Sequence, residues 1–355
     1  MLYRARFPEC MYQIKAIPKD FIVKEVSKFN TKENGQYAYF LLKKTNYSTV
    51  KSLEVLSEKL NIPLKNIGFA GNKDRNAVTE QAISVLKGSR NAENLSLRGI
   101  ELKYLGNGKE PISLGDLEGN EFTITVRNLN DNEVKKIKNL ENKKINVPNL
   151  FGPQRFSNNN HLAGKSIIKK DFKKAVGLIM ENEGNIENEI QGYLENKKND
   201  YAGALRLIPL KTRKLFVHAY QSFLFNKIVN EYLKNSIKDK IINNNKIKDY
   251  DKIENIEMPI IGFNFDLNEI KNKELKNIIK KILDEEKLNP RDFIISQMPE
   301  LTSEGTQRHL FFELKDLEIL KIEDDELNSK MKKVKINFTL PKSCYATTLL
   351  EFIFQ

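Results

Sequence analysis

Asp74 stands between Lys73 and Arg75 in the stretch IGFAGNKDRNAVTEQ, residues 67–81. Two flanking cations favour the carboxylate form, and a carboxylate presented on a loop can act as a nucleophile or a base. The apolar lead-in, Ile67 and Phe69, is punctuated by Gly68 and Gly71, which let the backbone turn sharply and leave room for something bulky to approach. A strand-like run resumes at residues 82–85. The same letters also describe a hydrated Lys-Asp-Arg turn, so the rest of the chain has to decide between the two readings.

Other chemistries find little support. Cys10 and Cys344 are the only cysteines and are far apart, and His161, His218 and His309 are scattered; neither set has the spacing of a metal site, a disulfide framework or a local triad. There is no GxxxxGK[ST], GxGxxG or HExxH motif, so nucleotide-driven and zinc-dependent reactions are unsupported. The expectation is an enzyme or binding protein with no metal and no cofactor. The 355 residues carry 59 Lys and Arg against 47 Asp and Glu, a formal net charge of +12. That balance points to a polyanion, nucleic acid before membrane. The N-terminal residues are too polar for a signal peptide, and no run of about 18 apolar residues occurs. Together with the two unpaired-looking cysteines this predicts a soluble cytoplasmic protein with no membrane partner.

The elements that must position Asp74 follow from periodicity. Residues 12–26 alternate apolar and polar around Pro18, which predicts two short strands, or a strand, a turn and a strand, with Phe21, Val23 and Val26 on or near one face. Residues 36–43 read as a strand. Residues 49–61 place Val50, Leu53, Leu56 and Leu60 at helical spacing. Further strands are predicted at 96–105 and 121–126, with a turn around Gly115 and Gly119. Helical patterns then take over at 162–180, 213–233 and 267–288, separated by Asn- and Lys-rich stretches such as residues 236–252 that suit exposed loops. In the second of these helices Leu215, Phe216, Ala219, Tyr220, Phe223, Leu224 and Ile228 form a stripe that reads as core. Strand alternation returns at Val334, Ile336 and Phe338, and an apolar strand or helix closes the chain. This is an α+β pattern, mixed but with a mainly antiparallel sheet, in which a helix-rich middle interrupts one sheet built from the two ends. The expected division is 1–156 with 306–355, and an inserted 157–305.

Four separated stretches, KAIPKDFIVKE, GFAGNKDRNAVTEQ, VPNLFGPQRF and LPKSCYATTLLEF, together resemble the TruD family of tRNA pseudouridine synthases in order and spacing. The resemblance covers nearly the whole chain. It implies a pseudouridine synthase catalytic domain carrying an inserted TRUD domain, tRNA as the partner with no obligatory protein partner, and isomerisation of a uridine, specifically uridine 13 of the D-arm. The base leaves C1′ of its ribose, turns, and rejoins through C5. Asp74 matches the family's catalytic aspartate. One carboxylate is enough for this chemistry, because a uracil anion spreads its charge over two carbonyl oxygens and departs without the second acid that glycoside hydrolysis uses. Attack on C1′, attack on C6 of the base and proton removal from the ribose all remain open.

The resemblance also assigns substrate-binding residues. Lys15 matches a basic residue near the aspartate, and a plain surface lysine is the alternative. Phe21 and Phe151 match aromatics of the uracil pocket, where a flat ring suits a base taken out of its stack; ordinary core is their other reading. Asn149 offers both donor and acceptor to a base edge or ribose, or simply forms a turn after Pro148. Tyr345 matches an aromatic near the C-terminus, and Arg155 a partner for a carboxylate or an RNA phosphate. Related sequences carry Tyr where Leu150 lies or Phe where Tyr345 lies; both changes keep apolar bulk. The rival readings are a pseudouridine synthase acting on another RNA, a non-catalytic RNA-binding protein, which needs no particular aspartate, and an Asp-nucleophile phosphotransferase or hydrolase, which needs clustered acids for magnesium.

Overall fold

The computed structural model describes residues 12–28, 31, 34–181, 185–238, 250 and 253–354. Cys10 and most of the Asn- and Lys-rich loop at 236–252 lie outside them. The chain divides into two compact units, one formed by Met1–Asn146 with Glu313–Gln355 and the other by Val147–Phe312.

In chain order the elements are β1 (Phe21–Val26), β2 (Tyr37–Thr45), α1 (Thr49–Leu60), β3 (Ile67–Phe69), β4 (Val78–Leu86), β5 (Ile100–Gly108), β6 (Gly119–Leu129), α2 (Asp131–Lys138) and β7 (Ile145–Pro148). Helices α3 (Asn160–Ile168), α4 (Phe172–Met180), α5 (Asn185–Asn196), α6 (Tyr201–Leu207) and α7 (Leu210–Lys238) follow, then β8 (Glu257–Ile260), α8 (Lys273–Glu285) and β9 (Thr306–His309). The chain returns through β10 (Phe311–Asp324) and β11 (Lys332–Pro341) to α9 (Ala346–Phe354). The large sheet has the order β5-β2-β4-β1-β6-β11-β10-β7, with β3 paired to β4. Among the described pairings only β1 with β4 is parallel. The fold is therefore α+β with a mainly antiparallel sheet, and strands from both ends of the chain share it.

Register decides which side chains meet, because paired residues point to the same side of a sheet. Val23 lies opposite Thr79 on one neighbour and Phe122 on the other, and Phe122 opposite Phe338. The Phe122 and Phe338 rings stack at 5.5 Å, and Phe21 meets Phe122 edge-on at 6.0 Å. On the same face Phe40, Leu42, Ile83 and Val85 receive Leu53 and Leu56 of α1. Ser48 caps α1, accepting from Lys51 N, and Asn61 ends it in the left-handed region at φ +52°. Farther along the sheet α2 packs on β6, β11 and α9. The opposite face carries the smaller cluster of Tyr39, Ala70, Ala82 and Ile112.

A buried cation ties the ends of this unit together. Arg127 of β6 donates from Nε and Nη2 to the two carboxylate oxygens of Asp20, each at 2.9 Å, and from Nη1 to Asp325 at 2.8 Å. Asp20 also accepts from Ile17 N, and the backbones of Gln13 and Arg127 bridge. Of the two readings of residues 12–26, the one with a turn is seen: a single bridge at Gln13, a tight turn, Pro18–Asp20, and then β1.

The second unit is built around α7, whose Tyr220, Leu224, Phe225 and Ile228 are buried. Helix α3 approaches so closely that a Cβ on Gly164 would lie 1.9 Å from the carbonyl oxygen of Phe216. The helix expected at 162–180 is two helices, because Lys170 turns left-handed at φ +59° and Asp171 caps α4 through Lys174 N. The helix expected from 267 starts at Lys273, where Asn272 accepts from Leu275 N. Strand β5 lies a few residues later than expected, and the closing segment is a helix.

Two stability outcomes follow. Arg127→Met should destabilise the fold by about 3 to 5 kcal/mol, since Asp20 and Asp325 are left buried without a counter-charge; urea unfolding measures it. Burial pushes the Glu351 carboxyl on α9 up to about 7. The folded chain then keeps a proton that the unfolded chain gives up at lower pH, so this contribution is complete in acid and lost as pH climbs through about 7. Glu351→Gln should gain stability relative to the parent between pH 5 and 8, by the order of 1 to 2 kcal/mol after solvent screening, read from melting curves across that range.

Candidate active site

Strand β4 changes partner along its length, and that change creates the site. Its residues Val78, Thr79 and Glu80 pair with β1, whereas Ile83, Ser84 and Val85 pair with β3. Between these stretches Ala82 N donates to the Glu25 side chain at 3.3 Å, so a carboxylate fills the place of a missing strand. The loop joining β3 to β4, residues 70–77, carries Asp74.

The loop backbone is pinned by buried side chains. Lys73 N donates to Thr49 Oγ1 at 2.9 Å, Thr49 Oγ1 donates to Gln81 Oε1 at 3.0 Å, and Gln81 Nε2 donates to the Gly71 carbonyl at 3.0 Å. Lys73 Nζ forms a buried ion pair with Glu25. Lys44 Nζ donates to the carbonyls of Asp74 at 2.9 Å and Tyr47 at 2.6 Å. Gly68 is needed for close packing: a Cβ there would lie 2.3 Å from Ile112 O and 2.6 Å from Ser84 Oγ. Gly71 has ordinary clearance, and neither glycine adopts positive φ. The sharp-turn role expected of this pair is therefore replaced by close approach at Gly68 alone.

Lys15 and Phe21 meet Asp74. Lys15 Nζ lies 3.1 Å from Asp74 Oδ1 and 4.1 Å from the centre of the Phe21 ring. The side chains of Lys15 and Asp74 keep 21% and 34% exposure, enough for a ligand to reach the carboxylate. Lys15 itself is held at φ +59°, a region costly for a side chain with a Cβ. Tyr345 belongs to the same unit and stands partly exposed at the start of α9, its carbonyl accepting from Leu349 N.

Asn149, Phe151 and Arg155 form a second cluster, in the other unit. Arg308 clamps Asn149, donating from Nε to its carbonyl at 2.8 Å and from Nη2 to its Oδ1 at 2.5 Å, while Asn149 Nδ2 donates to His309 O at 3.2 Å. The Arg308 guanidinium lies 4.5 Å from the centre of the Phe151 ring and that of Arg155 lies 5.8 Å away. Phe151 meets Phe225 edge-on, and its backbone is held at N and O by the Asn226 side chain. Arg155 donates to Ser222 Oγ at 3.3 Å.

Sequence reasoning missed Lys44, Thr49, Gln81 and the Lys73–Glu25 pair in the first unit, and Arg308 and Asn226 in the second. Alternation offered a signal for Lys44, which shares a face with Phe40 and Leu42. Arg308 offered none. Burial lowers the Lys44 pKa to about 8, with Lys73 adding to the fall and the Asp74 charge opposing it. Among the described residues no group of three or more His, Cys, Asp or Glu is placed to hold a metal ion, and no helix is long and apolar enough to cross a membrane.

Comparison with known proteins adds to this geometry. The family model for tRNA pseudouridine synthase D (TruD) matches residues 1–191 and 179–352. A tRNA pseudouridine synthase D of Aquifex aeolicus is 31% identical, the match covering 96% of this chain and 98% of that one. A protein of Methanococcoides burtonii named as a probable tRNA pseudouridine synthase D is 30% identical over 99% of this chain and 94% of its own. The crystal structure of a TruD protein from Methanosarcina mazei superposes with a TM-score of 0.73 at 28% identity, covering 96% of this chain and 93% of that one. By the extent of these matches the chain belongs to the tRNA pseudouridine synthase D (TruD) family.

Proposed function

We propose that the protein isomerises uridine 13 in the D-arm of tRNA to pseudouridine, with Asp74 as the catalytic group. Family membership supports uridine isomerisation in tRNA. The observation that carries the role of Asp74 is its partly exposed carboxylate, paired with Lys15 beside the Phe21 ring on a loop whose backbone is fixed from beneath. In the reaction the bond from N1 to C1′ breaks, a bond from C5 to C1′ forms, C5 gives up its hydrogen and N1 gains one. Nothing is oxidised or reduced, so the balance calls for no redox partner.

In this reading Lys15 orients the carboxylate and balances its charge, and Phe21, buried beneath Lys15, backs the pocket that takes the flipped base. Asn149, Phe151, Arg155 and Tyr345 contact the RNA substrate, with Asn149 and Phe151 already ordered by Arg308 and Asn226. Residues 1–156 and 306–355 act as the catalytic domain, and the inserted 157–305 adds tRNA contacts. The enzyme works in the cytoplasm, where its substrate is.

Release of tritium from tRNA labelled at uridine C5 tests the assignment, because that hydrogen leaves only when carbon joins carbon. A transcript with cytidine at position 13 should release none. Asp74→Asn should lower turnover by roughly a thousandfold or more while tRNA affinity stays within about twofold, since phosphate contacts dominate binding; normal turnover would refute the role. Lys15→Met should lower kcat by roughly tenfold to a hundredfold with little change in KM, as expected when a charge acting on the catalytic group is removed.

A further inference from the structure

We propose that Lys44 is a positioning residue for the reaction: its buried ammonium grips the peptide of Asp74 and so fixes the direction in which the carboxylate is presented. The inference rests on the reading of Asp74 as the catalytic group. Lys44 lies near the end of β2, opposite Thr79 of β4 and Ile100 of β5, on the face that packs against α1. It is 1% exposed. A fully buried lysine is rare, because removing an ammonium from water is costly unless strong acceptors replace the hydration. Here the acceptors are two carbonyl oxygens, those of Tyr47 at 2.6 Å and Asp74 at 2.9 Å. The first closes the turn that follows β2. The second belongs to the one residue whose side chain does the chemistry.

Holding the Asp74 carbonyl constrains the rotation of its peptide, and with it the vector from Cα to Cβ. Lys15 then meets a carboxylate whose backbone is already set. A neutral amide would satisfy the same two carbonyls at less desolvation cost; a cation adds attraction for the Asp74 charge. The charged groups around Lys44 are Asp74 and Lys73 of the loop, Glu25 of β1 paired with Lys73, and Lys15 paired with Asp74. Lys44 donates to no carboxylate in the described hydrogen bonds, so its influence on Asp74 runs through the backbone and through space.

The ammonium gives the proposal a signature that a packing role lacks. The folded chain releases the Lys44 proton at about pH 8, whereas the unfolded chain holds it to about 10.5. Between those values the unfolded state binds more protons, so stability rises with pH while the grip on Asp74 weakens. One proton thus drives stability and turnover in opposite directions.

The test compares wild type with Lys44→Met by tritium release and by urea unfolding from pH 7 to 9.5. Lys44→Met should lose roughly a hundredfold in kcat at pH 7 with KM for tRNA within about twofold, the size expected of a small misplacement of a catalytic group. Wild-type kcat should fall by roughly tenfold through a midpoint near pH 8 as stability climbs, and both trends should vanish in the variant. The NMR signal of the Lys44 side chain should titrate at lower pH in Asp74→Asn, which removes the opposing charge. A Lys44→Met enzyme with wild-type kcat, or one that keeps the limb near pH 8, overturns the proposal while leaving Asp74 in place. Should the variant not fold, a wild-type kcat that is flat across the range overturns it. Normal tritium release by Asp74→Asn would instead refute the reading of Asp74 on which the proposal rests.

Discussion

The burial of Arg127 is the constraint from which the catalytic unit takes its shape. A guanidinium out of water must be surrounded by acceptors, and the chain supplies them from residues far apart in sequence, Asp20 before β1 and Asp325 after β10. Meeting that demand brings the N-terminal segment against β6 and closes the turn from Ile17 to Asp20. Lys15 and Phe21 flank this turn, so the geometry of the site descends from an interaction that touches no catalytic group.

Around Asp74 the structure concentrates positive charge in three ways. Lys73 is neutralised by Glu25, Lys44 binds carbonyls, and Lys15 faces the carboxylate itself. Only the last is open to a ligand. Lys15 is also held at positive φ, as Lys87, Lys170, Lys287 and Lys330 are, so its backbone costs of the order of 1 to 2 kcal/mol in the way turn lysines elsewhere in the chain do.

Much of this was legible in the sequence. Alternation at Phe21 and Val23, and again at Val334, Ile336 and Phe338, marked core strands, because a half-buried sheet writes its period directly into the residues. Asp74 stood out through its cationic neighbours and the glycines at 68 and 71, of which only Gly68 proves to need its missing Cβ. What stayed hidden depended on long-range register. Alternation with Phe40 and Leu42 marks Lys44 as inward-facing, but what it holds appears only once the Asp74 loop folds over it. Arg308 acquires a role only when Asn149 and Phe151, far away in sequence, come to lie beside it. The break between α3 and α4 was missed for a local reason: Lys170 and Asp171 are compatible with a continuous helix, and only the left-handed turn at Lys170 ends it.

The strand order carries a consequence for how the chain is made. Strand β11 sits between β6 and β10, yet it is synthesised only after the whole second unit has followed β6 from the ribosome. Until then β6 is an open edge, with unpaired backbone groups and Phe122 lacking the Phe338 ring that covers it. Open edges of this kind recruit other strands. The hazard in producing this protein therefore lies in the nascent interval between β6 and β11, and slow translation or premature arrest within the second unit would lengthen it.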